Sequence, residues 1–192
     1  IYVAHLEPHL SVLFLFLRRL SLSSVVCFVL PKGKYEIREE EFYEEKSISY
    51  LELLEKRIKP ENIVFIGDSA GANLAVTTTL WLRDNSYPLP SQIVCFSLWA
   101  DMTSSGESRV RNAYLDPFGG IAKHKTIEEN WDYLHRISAY AQNIDRENPY
   151  VSPVFADFNK FPPTTLVCGG AEMDESDNDR VYEKMKASGV DV

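Results

Sequence analysis

The stretch Gly67-Asp68-Ser69-Ala70-Gly71 follows the apolar run Asn62-Ile63-Val64-Phe65-Ile66 and precedes a helical pattern that extends to Leu82. A serine on a sharp turn from strand to helix is lifted above the ends of the strands, with its hydroxyl group exposed. Small residues are needed beside it because such a turn brings two backbone segments close together. Ser69 is therefore predicted to be a catalytic nucleophile, supported by a turn made of Gly67, Asp68 and Gly71.

The helix that follows this turn is predicted to begin at Ala70. The N–H groups in the first turn of a helix have no acceptor within the helix and lie at its positive end. The amide of Ala70 is thus predicted to stabilise an oxyanion formed next to Ser69. The alternative is a glycine-rich turn without chemistry, and the position of the motif between a strand and a helix favours the nucleophile.

Composition and charge limit the classes of function that remain. The chain has 192 residues, a size typical of one domain, and its hydrophobic content of 45% and charged content of 25% are ordinary for a globular protein. The net charge of −8 and the lack of a basic stripe argue against nucleic acid as a partner. Membrane contact and oligomeric state are left open by these observations.

The cysteines lie in separate apolar runs without C-x-x-C spacing, at Cys27, Cys95 and Cys168. This pattern indicates buried thiols rather than a disulfide framework or a metal site, and it favours a reducing compartment such as the cytoplasm. The apolar segment 10–30 is interrupted by Arg18 and Arg19, so we expect a helix and then a strand there rather than a membrane span. An anchor or signal before Ile1 stays open.

Hydrophobic periodicity predicts an alternation of helices and strands along a single domain over residues 1–192. Such an alternation gives parallel βαβ units, so the predicted class is α/β with a doubly wound, mostly parallel sheet. The predicted helices cover 5–20, 38–59, 70–82 and 177–188, the last closed by Gly189 as C-cap, and the predicted strands cover 25–30, 63–66, 93–98 and 164–168.

The alternation stops over residues 102–150, which we interpret as an insertion. Within it, Thr126-Ile127-Glu128-Glu129 is a capping box that predicts the start of a helix with Trp131 on its apolar stripe. A helical insertion after a strand, above the nucleophile, is where a lid over a pocket would lie. An ordinary surface excursion is the alternative.

Three stretches together resemble the hormone-sensitive lipase family of α/β-hydrolases. They are N-I-V-F-I-G-D-S-A-G-A-N-L-A over 62–75, S-L-W-A-D-M-T with G-E-S over 97–108, and N-P-Y-V-S-P followed by F-P-P-T over 148–164. The resemblance implies the α/β-hydrolase fold, carboxylic ester hydrolysis of small acyl esters and no metal or organic cofactor. It also implies a triad in the order serine, acid, histidine.

The resemblance places the acid of this triad just after the strand at 164–168. Glu172 falls on the family's acid position, with Asp174 as its rival and Asp177 as a further one. A carboxylate there would hold the catalytic histidine in the required tautomer. Alternatively, the acidic cluster caps the helix that follows. Asp101 is a weaker rival and is expected to be a structural hydrogen-bonding residue.

Two parts that the resemblance implies are absent from the sequence. A His-Gly-Gly oxyanion loop would precede residue 1, and no histidine follows Glu172. His5 and His9 lie before Ser69 and lack H-E-x-x-H spacing, while His124 and His135 lie in the insertion, so none is expected to serve as the base or as a metal ligand. We expect the isolated polypeptide to be nearly inactive. The alternatives are a non-catalytic ligand-binding protein on the same fold and a truncated gene product.

Overall fold

Within the described residues, the sheet contains six strands whose spatial order follows the sequence. A computed structural model describes residues 50–131 and 144–192, together with the backbone of three strands nearer the N-terminus. The strands are β1 (Tyr2–Val3), β2 (Phe14–Leu15), β3 (Val25–Phe28), β4 (Ile63–Asp68), β5 (Gln92–Phe96) and β6 (Thr164–Val167). The pairs β1–β2 and β2–β3 are antiparallel, and β3 to β6 run parallel. The predicted α/β class with a mostly parallel sheet is confirmed.

The helix predicted over 5–20 is wrong at Phe14 and Leu15, which form β2 opposite Phe28 and Cys27. The run around these residues is apolar without interruption, and periodicity alone does not separate a buried strand from a helix in such a run. The pairing gives hydrogen-bond partners to the edge of β3, which would otherwise be open on that side. The rest of that predicted helix lies outside the described residues.

The described helices are α1 (50–55), α2 (Ala70–Asp84), α3 (Ser108–Arg111) and α4 (Glu175–Ala187). The helices predicted over 70–82 and 177–188 are confirmed: α2 continues two residues further than predicted, and α4 begins two residues earlier and ends one residue earlier. The helix predicted over 38–59 ends at residue 55, just before Arg57 takes a positive φ of 61°, and its first part lies outside the described residues. No described helix combines the length and the apolar character needed to cross a bilayer.

Gly189 ends α4 as predicted, in the geometry of a Schellman motif. Its φ is +76°, its N–H donates to the carbonyl of Lys186 at 3.0 Å, and Val190 N–H donates to the carbonyl of Met185 at 3.0 Å. The left-handed conformation is the reason a glycine is favoured at this position.

One hydrophobic core joins α1, α2 and α4 to the strands. Its fully buried members include Ile63 on β4, Ile93 on β5, Leu80 on α2 and Met185 on α4. Because side chains alternate along a strand, this core covers the sheet face that carries Ile63 and Phe65. Since β4, β5 and β6 run parallel, their carboxyl ends lie at the same edge of the sheet.

Candidate functional site

Ser69 lies at the carboxyl end of β4, in the turn that leads into α2. Its backbone has φ 54° and ψ −114°, which is a strained conformation for a residue with a side chain. Its N–H donates to the carbonyl of Phe96 at 2.9 Å, and its carbonyl accepts the N–H of Asn73 at 3.1 Å. The turn is thus held by β5 on one side and by the first turn of α2 on the other.

The close approach predicted for the glycines of this turn is present. A Cβ atom at Gly67 would lie 2.2 Å from the carbonyl oxygen of Gly71. Since the contact is with backbone, no side-chain rotation could relieve it. Gly67 is required because β4 and α2 almost touch where they join.

We expect Gly67→Ala to lower the free energy of unfolding by about 3 kcal/mol or more, because strand and helix must separate to admit the methyl group. Gly170→Ala is the matched control, since a Cβ there meets nothing within 4 Å and should change stability by no more than about 0.5 kcal/mol. Urea unfolding followed by circular dichroism measures both variants. Equal stability of the two would contradict the geometry of the turn.

Ser69 is half-buried, and its hydroxyl group makes no hydrogen bond within the described residues. Ala70 is the first residue of α2, so its N–H has no acceptor within the helix. Asp68 is exposed at the end of β4, and its part in supporting the turn around Ser69 stays a prediction. The hydroxyl of Ser69 and the N–H of Ala70 are thus both without a hydrogen-bond partner among the described residues.

The strain at Ser69 leads to a stability prediction that needs no substrate. Ser69→Gly is expected to raise the free energy of unfolding by about 1 kcal/mol, because glycine adopts a positive φ without a steric penalty. Ser69→Ala removes the same hydroxyl group but keeps a Cβ, so it should give no such gain. The difference between the two urea midpoints isolates the backbone strain, and a midpoint for the glycine variant below that of the alanine variant would refute it.

The acidic cluster follows β6 in a turn over residues 169–177, which we call the acid turn. The Oε1 atom of Glu172 accepts the N–H of Gly169 at 2.9 Å, and its Oε2 atom lies 3.5 Å from the Cys168 thiol. Burial and the nearby Glu172 charge raise the pKa of Cys168 to about 12, so this thiol is the donor in that contact. The Glu172 carboxylate is half-buried and is held by its own turn.

Asp174 is held differently from Glu172. Its Oδ1 atom accepts a hydrogen bond of 2.5 Å from the guanidinium of Arg109, and this ion pair is largely buried. Burial, reinforced by the nearby Asp116 and Glu172 carboxylates, raises the pKa of Asp174 to about 6 although Arg109 opposes the shift. Because Arg109 engages the Asp174 carboxylate in this ion pair, the contact is typical of a structural role for Asp174.

Asp177 is fully buried, and neither carboxyl oxygen has a hydrogen-bond partner among the described residues. The nearest cation is Arg109, whose Nη2 atom lies 3.7 Å from Oδ2. Burial raises the pKa of Asp177 to about 8, so its carboxyl group is mostly protonated at pH 7. An uncharged, fully enclosed acid cannot stabilise an imidazolium, which weakens Asp177 as a candidate.

Asp101 follows β5 and is fully buried. Its Oδ1 atom accepts from the backbone and hydroxyl of Thr103, and its Oδ2 atom accepts from Ser105 and Arg180. Burial opposes ionisation, but these hydrogen bonds outweigh it and lower the pKa of Asp101. The carboxylate thus organises its own loop, in line with the structural role expected for it.

The histidines supply no base within the described residues. His124 is exposed in the insertion, and no hydrogen bond to it is found in the described ranges. The candidates His5, His9 and His135 lie outside those ranges. Among the described residues no group of three or more histidine, cysteine or acidic side chains could hold a metal ion.

The described part of the insertion contains the predicted capping box. Glu129 N–H donates to Thr126 Oγ1 at 3.1 Å, and Thr126 N–H donates to Glu129 Oε2 at 3.2 Å. These bonds open the 3₁₀ turn Glu128–Asn130, and the predicted helix beyond Trp131 lies outside the described residues. The lid role of 102–150 stays a prediction.

Cys95 and Cys168 are free thiols, but only Cys95 is fully buried. Burial raises the pKa of Cys95 to about 12. Cys168, predicted to be buried within a strand, instead follows β6 and is half-buried because it lies where the chain leaves the sheet.

Asn73 is a supporting residue that the sequence analysis did not single out. It is buried in α2, and its Nδ2 atom donates to the carbonyls of Trp99 and Val151, both at 2.8 Å. These bonds tie the first turn of α2 to the loops that flank the site. A polar amide within an otherwise small and apolar helical run is the signal that could have identified it.

The sequence matches one known family and several curated proteins. The sequence model of a family described as alpha/beta hydrolase fold matches residues 37–192. An acetyl-hydrolase of Streptomyces hygroscopicus is 29% identical over 149 residues, which are 78% of this chain and 47% of that protein. An esterase of Acinetobacter venetianus is 33% identical over 143 residues, which are 74% of this chain and 45% of that protein. The chain thus spans about half the length of the curated relatives it matches.

Solved structures of an esterase and a lipase also match this chain. An esterase from the bacterial hormone-sensitive lipase family superposes with a TM-score of 0.69 at 33% identity, covering 81% of this chain and 50% of that one. A hormone-sensitive lipase from a metagenome library superposes with a TM-score of 0.73 at 25% identity, covering 86% and 54%. The resemblance to the hormone-sensitive lipase family, inferred from three stretches of the sequence, is confirmed.

Proposed function

The chain belongs to the α/β-hydrolase fold family, and on that premise we propose that the complete protein hydrolyses carboxylic esters of small molecules through an acyl-enzyme on Ser69. The observation that carries this proposal is the strained turn at Ser69, which presents a hydroxyl group beside the free N–H of Ala70. Strain of this kind is retained where function requires it. Relatives named esterase and acetyl-hydrolase support the same reaction class.

In the proposed reaction, Ser69 Oγ attacks the acyl carbon while a histidine base takes the hydroxyl proton. The resulting oxyanion accepts a hydrogen bond from the Ala70 amide. The carbon–oxygen bond of the ester then breaks, and the histidine returns the proton to the leaving alcohol. Water next hydrolyses the acyl-enzyme by the same route and regenerates Ser69. We assign the histidine and the remaining oxyanion donors to parts of the complete protein outside this chain.

The sheet geometry supports Glu172 as the group that orients this histidine. Ser69 follows β4 and Glu172 follows β6, with β5 between them. Two strand spacings separate the strand ends by about 10 Å, a gap that suits an imidazole ring with a hydrogen bond of about 3 Å on each side. Ser97 N–H donates to the carbonyl of Val167 at 2.7 Å and so keeps β5 and β6 aligned at this edge.

The experiment that tests the proposal is hydrolysis of p-nitrophenyl acetate and butyrate by the protein translated from its complete transcript. We expect turnover of at least one of these esters, and only a blank rate from the 192-residue chain alone, because serine without an adjacent base is a poor nucleophile. Binding of the esters without release of p-nitrophenol would contradict the proposal and favour a ligand-binding protein on the same fold.

A further inference from the structure

Three side chains from the start of the insertion contact the backbone of the acid turn. They are Ser108 in α3, Asn112 just after α3 and Asp116 in the following turn. Their spacing of four residues places them on one side of a helical path. We call these three side chains the frame.

Ser108 joins α3 to the second half of the acid turn. It is fully buried, and its Oγ atom donates to the carbonyl of Met173 at 2.6 Å and accepts the N–H of Ser176 at 3.0 Å. A single hydroxyl group therefore satisfies both a carbonyl and an amide of the turn. Close packing beside it leaves no room for a side chain at Gly106, where a Cβ would lie 2.5 Å from Ser176 Oγ.

Asn112 contacts the backbone of Glu172 directly. Its buried Nδ2 atom donates to the carbonyl of Glu172 at 2.7 Å and lies 3.4 Å from the carbonyl of Gly170. The two carbonyls belong to the residues on either side of Ala171 in the acid turn. Asn112 is thus the frame residue nearest to the proposed triad acid.

Asp116 fixes the other side of the same backbone. Its Oδ2 atom accepts the N–H of Met173 at 2.9 Å, while its Oδ1 atom accepts the N–H groups of Phe118 and Gly119, each at 2.8 Å. Partial burial opposes ionisation, but these backbone hydrogen bonds outweigh it and lower the pKa of Asp116. The ionised carboxylate therefore bridges the insertion and the acid turn at neutral pH.

The Glu172 carboxylate is anchored only to its own turn among the described residues, through Gly169 N–H and the Cys168 thiol. Its position relative to Ser69 is consequently set by whatever holds the backbone of that turn. We propose that the frame positions Glu172 for the reaction, so that the first part of the insertion and the catalytic acid form one rigid unit. The catalytic role of Glu172 in this inference rests on the proposed function. The contacts by which the frame holds the acid turn do not depend on that function.

Hydrogen exchange tests the clamp on the chain itself. We expect Asn112→Ala and Asp116→Asn to speed amide exchange in peptides spanning 168–177 by about fivefold or more, which corresponds to losing one hydrogen bond. Asn85→Ala is the matched control, because Asn85 also donates from Nδ2 to a carbonyl, that of Trp81 at 2.9 Å, at the far end of α2. Asp116→Asn keeps the shape of the half-buried side chain and serves if the alanine variant does not fold. Unchanged exchange in 168–177 would overturn the inference.

Kinetics on the complete protein test the positioning role. We express kcat per active site, with active sites counted by titration of Ser69. On this basis, Asn112→Ala should lower kcat by about 10- to 100-fold and leave KM within about twofold of the wild-type value, since a misplaced acid affects the chemical step rather than binding. Asn85→Ala should leave both constants unchanged. An unaltered kcat for Asn112→Ala would overturn the positioning role. Faster exchange in 168–177 combined with an inactive wild type would instead refute the proposed function and leave the clamp established.

Discussion

Ser69→Ala should lower kcat/KM for p-nitrophenyl acetate by roughly 10⁵-fold or more in the complete protein, because the proposed acyl-enzyme forms on the hydroxyl group that this substitution removes. The protein should remain folded, since the Ser69 hydroxyl makes no hydrogen bond within the described residues and its loss breaks none there. Steady-state hydrolysis and circular dichroism on the same preparation measure the two effects separately.

Ser91→Ala is a useful companion to that variant. Its hydroxyl donates to the carbonyl of Ile63 at 2.8 Å, at the opposite end of β4. Ser91→Ala should lower the free energy of unfolding by about 1 kcal/mol and retain full activity. If Ser69→Ala kept more than a hundredth of the wild-type rate, Ser69 could not be the nucleophile.

Glu172→Gln should lower kcat by about 10⁴-fold, because an amide at this position favours the wrong tautomer of the histidine and cannot stabilise its charged form. Asp174→Asn should cost less than about tenfold, since Asp174 is engaged by Arg109 at 2.5 Å. Measuring kcat for both variants in the complete protein distinguishes the two carboxylates. The opposite ranking would assign the triad acid to Asp174.

Asp174→Asn carries a stability effect that must be measured beside its activity. The amide would replace the charged partner of Arg109 in a largely buried pair, so unfolding should become easier. Glu172→Gln keeps an oxygen that can accept the N–H of Gly169 and should unfold close to wild type. Rates are therefore compared at a temperature where circular dichroism shows each variant fully folded.

Local sequence signals predicted those parts of the fold that depend on contacts close along the chain. The glycines around Ser69, the capping box at Thr126 and the C-cap at Gly189 each act through backbone groups only a few residues away. Their chemistry requires particular residue types, so the residue types reveal the geometry. The strands β4, β5 and β6 were predicted because each contains a short run of apolar residues, Ile63–Ile66, Ile93–Phe96 and Leu166–Val167.

Contacts between distant segments could not be predicted in the same way. The strand at Phe14–Leu15 forms because β3 offers an open edge, and nothing within the apolar run itself separates it from a helix. The frame residue Asn112 lies 60 positions from Glu172, and a polar residue in a loop gives no indication of its partner. The ion pair between Arg109 and Asp174, which argues against Asp174 as the proposed acid, likewise joins residues 65 positions apart that a single sequence does not connect.

The turn at Ser69 and the acid turn lie at the same edge of the sheet, and both are held by hydrogen bonds from neighbouring segments. Ser69 is one of six described residues other than glycine with a positive φ, and its turn is held by the Phe96 carbonyl and by the N–H of Asn73, whose side chain donates to the Trp99 carbonyl. The acid turn relies in the same way on hydrogen bonds from the insertion. A substitution far from the substrate can therefore alter the reaction by releasing either support.

The most direct test of the central claim is covalent labelling of the complete protein with diisopropyl fluorophosphate, followed by peptide mass spectrometry. An activated serine attacks phosphorus and expels fluoride, so the label identifies the nucleophile by its sequence position. We expect one diisopropylphosphoryl group per chain, carried by Ser69 and absent from Ser69→Ala. No label on the folded complete protein, or a label on another residue, would contradict it.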